Sequence, residues 1–138
     1  MFQQAKPSVF SDDAKSKFAE SIAIMLKAQL TATGGTSIER ADGAVNPHAL
    51  GYIYGFIDGG LRTVGQDMSD NVVGVPITFH VLRLLFPGKE QQYLDFLLKN
   101  VPGNANVMAA VLSGGQQYVD FNNGKLAAPM GLARAMIG

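Results

Sequence analysis

The chain has 138 residues, of which 47% are hydrophobic and 16% charged, and its 11 basic and 11 acidic side chains leave no formal net charge. This length is typical of one domain, and the composition is the opposite of that of a disordered chain. The balanced, scattered charges argue against nucleic-acid binding, and the lack of cysteine excludes disulfides, thiolate catalysis and cysteine zinc sites. We therefore expect residues 1–138 to form a single compact domain.

The start of the chain carries no apolar run of signal-peptide length, and no later segment approaches the ~20 apolar residues of a membrane span. We therefore expect a soluble protein, cytoplasmic by default, with neither membrane nor nucleic acid among its partners. A chain that began after a removed leader would look the same. Residues 1–10 are expected to form an irregular N-terminal arm.

The first predicted helix begins at Ser11, a good N-cap, and is followed by Asp12 and Asp13, which favour the positive end of a helix. It is expected to end near Thr31, before the Gly34-Gly35 pair. Helical spacing places four apolar side chains on one face, namely Phe18, Ile22, Met25 and Leu26.

A polar connection over residues 34–46 leads to the second helix. Asn46-Pro47 is a strong start signal, because Asn caps well and proline suits the first helical position. The helix is expected to run to about Val64. Its core face holds Leu50, Ile53, Phe56, Ile57, Leu61 and Val64.

The opposite side of this second helix carries one glycine per turn: Gly51, Gly55 and Gly59. Each glycine in a helix interior costs roughly 1 kcal/mol relative to alanine, or about 3 kcal/mol for all three. Only something packed close to the backbone would offset that cost. We call this side the glycine face. The side chains that border it are His48, Tyr52, Tyr54, Asp58 and Arg62.

The sequence leaves open which of three occupants covers the glycine face. Another helix of the same domain is favoured, for example the equally small-rich segment 107–115. A second copy of the chain and a ligand or partner protein are the alternatives. Asp58 and Arg62 stand four residues apart in the favourable order, so we expect a structural salt bridge, with a role in a binding site as the alternative.

Four further helices are expected. A loop over residues 65–74 precedes a third helix from Pro76 to Phe86, and a fourth covers about 89–99 with Leu94, Leu97 and Leu98 facing inward. A fifth covers about 104–120 and a short last helix follows Pro129. Residues 117–128 read better as helix than as a hairpin around Asn122-Asn123-Gly124. The predicted fold class is all-α, with five or six helices packed around the glycine-rich second helix and little or no sheet.

Two short segments 55 residues apart are similar, Phe-Ile-Asp-Gly-Gly at 56–60 and Val-Leu-Ser-Gly-Gly at 111–115. Each lies inside a predicted helix rich in small residues. Chance similarity is the preferred interpretation, and an ancestral duplication is the alternative.

No catalytic, metal or phosphate motif is found. His48 and His80 have no metal-ligand spacing, and the HExxH pattern is absent. Gly34-Gly35 lacks the preceding strand and the lysine of a phosphate loop, and Asp67 and Asp70 lack the glycine and distal glutamate of a calcium loop. We therefore expect no metal and no cofactor, and favour a non-enzymatic protein.

Residues 49–58 read Ala-Leu-Gly-Tyr-Ile-Tyr-Gly-Phe-Ile-Asp, and Val75-Pro76 follows further along. This pattern resembles the GYIxG-type helix of the small helical immunity proteins that neutralise type VI secretion amidases. The resemblance implies an α-helical inhibitor that blocks a toxin enzyme by binding it. It covers a small part of the chain, and the family's flanking cysteines and secretory leader are missing from the sequence.

The C-terminal third is poor in charge. Residues 101–138 hold only Asp120, Lys125 and Arg134, fewer charges than a solvated segment of that length should carry. Burial against a partner chain would explain the deficit, and a C-terminal end well packed within the same domain is the alternative. We predict a non-enzymatic protein that acts by association, as a homodimer or with a protein partner, through the glycine face or this segment. The alternatives are an immunity-type inhibitor and a small-ligand-binding protein or enzyme with a pocket near Tyr52, Tyr54, Asp58 and Arg62.

Overall fold

The computed structural model describes residues 10–35 and 37–137, so nearly all of the predicted N-terminal arm lies outside the described residues. The helices are α1 (Asp12–Thr31), α2 (Pro47–Thr63), α3 (Gly74–Leu85), α4 (Glu90–Asn100), α5 (Ala105–Asn122) and α6 (Gly131–Ile137). The described part of the chain contains no strand, only an isolated bridge between Glu39 and Val45. The prediction of a compact all-α fold is confirmed. None of these helices combines the length and the apolar composition that crossing a bilayer requires.

The predicted helix starts are confirmed by their caps. Ser11 Oγ accepts a backbone hydrogen bond from the first turn of α1. Asn46 Oδ1 accepts from the N–H groups of His48 and Ala49, and Asn104 caps α5 in the same way. Each cap satisfies donors that the first turn of a helix leaves unpaired.

Two details of the central helices differ from expectation. α3 begins at Gly74 rather than at Pro76. Proline is tolerated in the first turn of a helix, because the N–H that it lacks would have no partner inside the helix. Leu98 was predicted to face inward and is 52% exposed. The buried face of α4 is set by Tyr93 and Leu97, and Leu98 lies about 100° further round the helix.

The first half of residues 117–128 is helical, which is the conformation preferred from the sequence. α5 continues to Asn122, and the chain then turns at Asn123-Gly124, where Gly124 has φ of 77°. The hairpin alternative is wrong, because α5 keeps its backbone hydrogen bonds within the helix up to this turn.

The loop before α2 is tied to α4. Glu39 Oε2 accepts from Lys89 Nζ at 2.7 Å and from the Tyr93 hydroxyl at 3.0 Å. The hydrogen bond from Lys89, and after it that from Tyr93, lowers the pKa of Glu39 below its ordinary value. The phenol ring of Tyr93 is at the same time buried against Phe86 in the core.

The apolar side of α2 faces the main core. Its predicted core residues are fully buried except Val64, which follows the last turn and is 49% exposed. Burying one such side chain stabilises the fold by about 1.5–3 kcal/mol. The buried members are Leu50, Ile53, Phe56, Ile57 and Leu61.

α2 and α5 run side by side in the same direction. Gly51, Gly55 and Gly59 meet Val107, Val111 and Gly115 in that order along the two helices. Parallel neighbours cannot be joined by a tight turn, and here α3 and α4 form the connection between them.

Candidate functional site

The glycine face of α2 is covered by α5. A Cβ atom added at Gly55 would overlap the backbone carbonyl of Val111, and one added at Gly59 would lie 2.6 Å from the carbonyl oxygen of Gly115. Gly51 is somewhat less close, since its added Cβ would lie 2.9 Å from the carbonyl oxygen of Val107. The occupant observed at all three glycines is thus a helix of the same domain, which was the favoured of the three predictions.

The close approach is reciprocal. A Cβ added at Gly114 of α5 would overlap the backbone carbonyl of Tyr52 on α2. The similar segments 56–60 and 111–115 lie on these two facing helices. Gly59, Gly114 and Gly115 lie in the contact between the two helices, whereas a Cβ added at Gly60 would meet Phe18 and Ile22 of α1.

Tyr52 is 3% exposed, and its hydroxyl joins two glutamines. The hydroxyl donates to Oε1 of Gln117 at 2.7 Å and accepts from Nε2 of Gln29 at 3.2 Å. Burial raises the pKa of Tyr52 to about 12. The phenol therefore stays neutral, and its hydroxyl links α2 to α1 and α5 through hydrogen bonds.

The same two glutamines hold the start of α6. Gln117 Oε1 also accepts from the N–H of Gly131 at 2.9 Å, and Gln29 Oε1 accepts from the N–H of Leu132 at 3.0 Å. These N–H groups belong to the first turn of α6, which has no internal acceptors for them. Side chains from α1 and α5 thus cap the first turn of α6, and Tyr52 links them.

Gln29 and Gln117 were not among the predicted site residues. One sequence signal could have drawn attention to Gln29, because it falls on the buried face of α1 beside Leu26 and Leu30. A polar side chain on an apolar helix face needs a hydrogen-bond partner. No comparable signal marks Gln117, which lies on the mixed surface of α5.

Of the other predicted border residues, His48 lies one turn before Tyr52 on the same side of α2, whereas Tyr54, Asp58 and Arg62 lie away from that side. The Nε of Arg62 is 3.4 Å from Oδ2 of Asp58, so the predicted salt bridge is confirmed. The pair is partly exposed and contributes only a few tenths of a kcal/mol. Burial raises the pKa of Asp58, although the positive charge of Arg62 acts to lower it. Burial also raises the pKa of Tyr54. Side chains two residues apart point about 200° apart on a helix, so Tyr52 and Tyr54 do not share a pocket wall.

A cleft of about 490 Å³ lies between α2, α5 and α6. The buried ring of Tyr52 contributes to it, and the side chain of Asn46 fixes α6 nearby by donating to the Ala135 carbonyl at 3.0 Å. We call it the α2/α5/α6 cleft. Its lining residues are His48, Tyr52, Ala109, Ala110, Ser113, Gly131, Arg134 and Ala135.

Two mainly apolar clefts adjoin on the outer face of α1. One, of about 290 Å³, lies between α1 and α3, and the other, of about 430 Å³, lies between α1 and residues 121–130. Ile24 lines both clefts and is 70% exposed. In residues 10–35 and 37–137, no three histidine or carboxylate side chains are grouped so that they could hold a metal ion.

Comparison of the chain with models of protein families, with curated proteins and with solved structures gave no match. The resemblance to immunity proteins thus has no support beyond the residues quoted for it, which are Val75-Pro76 and the motif at residues 49–58. Within that motif, Gly51 and Gly55 contact α5, and Tyr52 holds the two glutamines.

Proposed function

We propose that this protein has a non-enzymatic role in association, and that its principal contact is a second copy of the same chain. The observation that carries the proposal is the position of Ile24, which is 70% exposed at the point where two apolar clefts meet. A single exposed isoleucine is ordinary, whereas one that joins two apolar clefts forms part of a continuous patch.

The patch extends over three parts of the chain. Leu84 of α3 is 38% exposed on one side of Ile24, and Met130 is 40% exposed on the other. The segment 121–130 that carries Met130 belongs to the charge-poor C-terminal third and holds one charged residue, Lys125, a composition that suits an interface. We call this patch the α1 surface, formed by Ile24, Met25, Ala28, Leu84 and Met130.

The charges beside the α1 surface suit a two-fold contact. Glu20 and Lys27 line the cleft next to Ile24, about one turn before it and one turn after it. Within the described residues, neither takes part in a salt bridge. In a two-fold contact each surface meets itself, so antiparallel α1 helices crossing at Ile24 would bring Glu20 of each copy to Lys27 of the other.

We also propose that the glycine-rich α2 is the helix around which the domain is organised. In support, α2 contacts each of the five other helices, and its backbone meets that of α5 at Gly55. With α2 at the centre, α1 would be left to present the outer surface used for association.

The test compares Ile24→Ser with Leu112→Ser, because the two side chains are almost equally exposed. The parent chain should be a dimer by light scattering after gel filtration, and Ile24→Ser should raise the dissociation constant by about tenfold or more, because both copies lose the contact. Leu112→Ser is the control, since Leu112 is 69% exposed on α5 and lies outside the α1 surface. A parent chain that stays monomeric at high protein concentration would show that the α1 surface does not bind a second copy.

A further inference from the structure

The α2/α5/α6 cleft is separate from the α1 surface, and the two share no residue. Its volume of about 490 Å³ lies within the range of small-molecule sites, roughly 300–1,000 Å³. The cleft has an apolar floor, made by the ring of Tyr52 and the methyl groups of Ala109, Ala110 and Ala135. Its polar groups are His48, Ser113 and Arg134.

Arg134 brings a permanent positive charge to this cleft without a carboxylate opposite it. In the described part of the chain it forms no salt bridge, and no Asp or Glu lines the cleft. The sole acid of the C-terminal third, Asp120, instead accepts a hydrogen bond from Gln116 at 2.9 Å. An arginine directed to an apolar cleft without a counter-ion creates a site for an anion.

The position of Arg134 is supported by its effect on the neighbouring phenol. Burial is the main influence on the pKa of Tyr52 and raises it, whereas the positive charge of Arg134 acts in the opposite direction. The guanidinium therefore lies on the Tyr52 side of α6, at the cleft.

The remaining donors of the cleft come from the helices that face α6. His48 on α2 offers a ring N–H and Ser113 on α5 offers a hydroxyl. The Tyr52 hydroxyl is already engaged by Gln29 and Gln117, so it provides no polar group to a ligand. The polar groups available to a ligand thus lie around an apolar floor.

We infer that the α2/α5/α6 cleft binds a small organic carboxylate. The carboxylate pairs with Arg134 and accepts hydrogen bonds from His48 or Ser113, and the apolar body lies on the Tyr52 ring and the alanine methyl groups. One permanent cation suits a monoanion, and an apolar floor suits an organic body better than inorganic phosphate. This site retains Tyr52 from the pocket expected from the sequence and replaces Tyr54, Asp58 and Arg62 by residues of α5 and α6.

The test is a titration of the isotope-labelled chain with benzoate, followed by amide resonances in NMR spectra. Benzoate should shift the resonances of the cleft residues, and benzamide, which has the same shape without the charge, should shift them much less. Arg134→Gln should weaken benzoate binding by about tenfold or more. Arg83→Gln is the control, because Arg83 is also exposed but lies over the ring of Phe79 on α3.

A second variant tests the cleft itself without changing charge. Ala109 is exposed on α5 and lines the cleft, so Ala109→Leu should fold normally and block benzoate. The inference is overturned if benzoate leaves the cleft resonances unchanged, if benzamide or inorganic phosphate binds as well as benzoate, or if Arg134→Gln binds as the parent does. A monomeric Ile24→Ser chain should bind benzoate like the parent, which separates this result from the dimer proposal.

Discussion

Gly55 and Val111 meet backbone to backbone, so closely that a single added methyl group at Gly55 would overlap the Val111 carbonyl. The obstructing atoms belong to the main chain of a helix and cannot turn aside as a flexible side chain can. The distance between α2 and α5 is therefore fixed by the missing side chain, and the packing of the whole domain depends on it.

The first prediction is that Gly55→Ala lowers the free energy of unfolding by about 2 kcal/mol or more. Alanine gains about 1 kcal/mol in helix propensity, but the clash forces α2 and α5 apart along their contact. Urea unfolding followed by circular dichroism measures the change. The matched control is Gly103→Ala, because a Cβ at Gly103 meets open space and this glycine lacks a positive φ. That variant should be as stable as the parent or slightly more stable. Equal stability of Gly55→Ala and the parent would mean that the helices are not in backbone contact.

The second prediction concerns the hydroxyl of Tyr52. Tyr52→Phe should lower the free energy of unfolding by about 1–2 kcal/mol, because Gln29 and Gln117 lose a buried hydrogen-bond partner. Tyr118→Phe is the control, since Tyr118 is half-buried against Phe56 and its hydroxyl is not part of this network. If the two variants are equally stable, the network around Tyr52 does not contribute to the fold.

The third prediction is a loss of stability at alkaline pH. Burial raises the pKa of Tyr52 to about 12, and burial followed by the nearby Glu39 carboxylate raises the pKa of Tyr93 to about 12. An unfolded tyrosine titrates near pH ~10, so between about pH 10 and 12 the folded chain holds protons that the unfolded chain releases. Stability should be complete below about pH 10 and should fall above it, by up to about 1.4 kcal/mol per pH unit for each tyrosine.

Urea unfolding at a series of alkaline pH values measures this slope. Tyr52→Phe should have a shallower slope than the parent, because it removes one of the phenols whose pKa is raised by folding. Identical slopes for the parent and the variant would show that Tyr52 titrates normally in the folded chain.

The fourth prediction tests the charge pairs of the proposed dimer. Glu20→Lys and Lys27→Glu should each weaken dimerisation several-fold, because each places like charges together twice in a two-fold contact. The double variant should restore the affinity of the parent. Light scattering at low and high salt measures both effects, and the difference between single and double variants should shrink as salt rises. Single variants that dimerise as the parent does would show that α1 helices do not cross antiparallel at Ile24.

The helices could be predicted from the sequence because their signals are local. Ser11, Asn46 and Asn104 each lie within three residues of the N–H groups that they cap, and the salt bridge between Asp58 and Arg62 spans one helical turn. Such features depend on neighbours in the chain, so residue type and spacing are enough. Leu98 shows the limit of prediction from spacing alone. Tyr93 and Leu97 define the buried face of α4, and Leu98 lies outside that face.

The partner of the glycine face and the network around Tyr52 could not be predicted in this way, because they depend on residues far apart in the sequence. Gly51, Gly55 and Gly59 indicate that something approaches closely, but a helix, a second chain and a ligand all need the same bare backbone. Tyr52 meets Gln29 and Gln117 across 23 and 65 residues of sequence. The cleft likewise needs α6 to return beside α2, which no local pattern indicates.

The hydrogen bond between Gln29 Oε1 and the N–H of Leu132 spans 103 residues. During synthesis on the ribosome, α1 emerges well before α6, so the side-chain oxygen of Gln29 cannot accept from Leu132 until that residue has left the exit tunnel. The first helices can fold before that point, but the contact between α1 and α6 forms only after it.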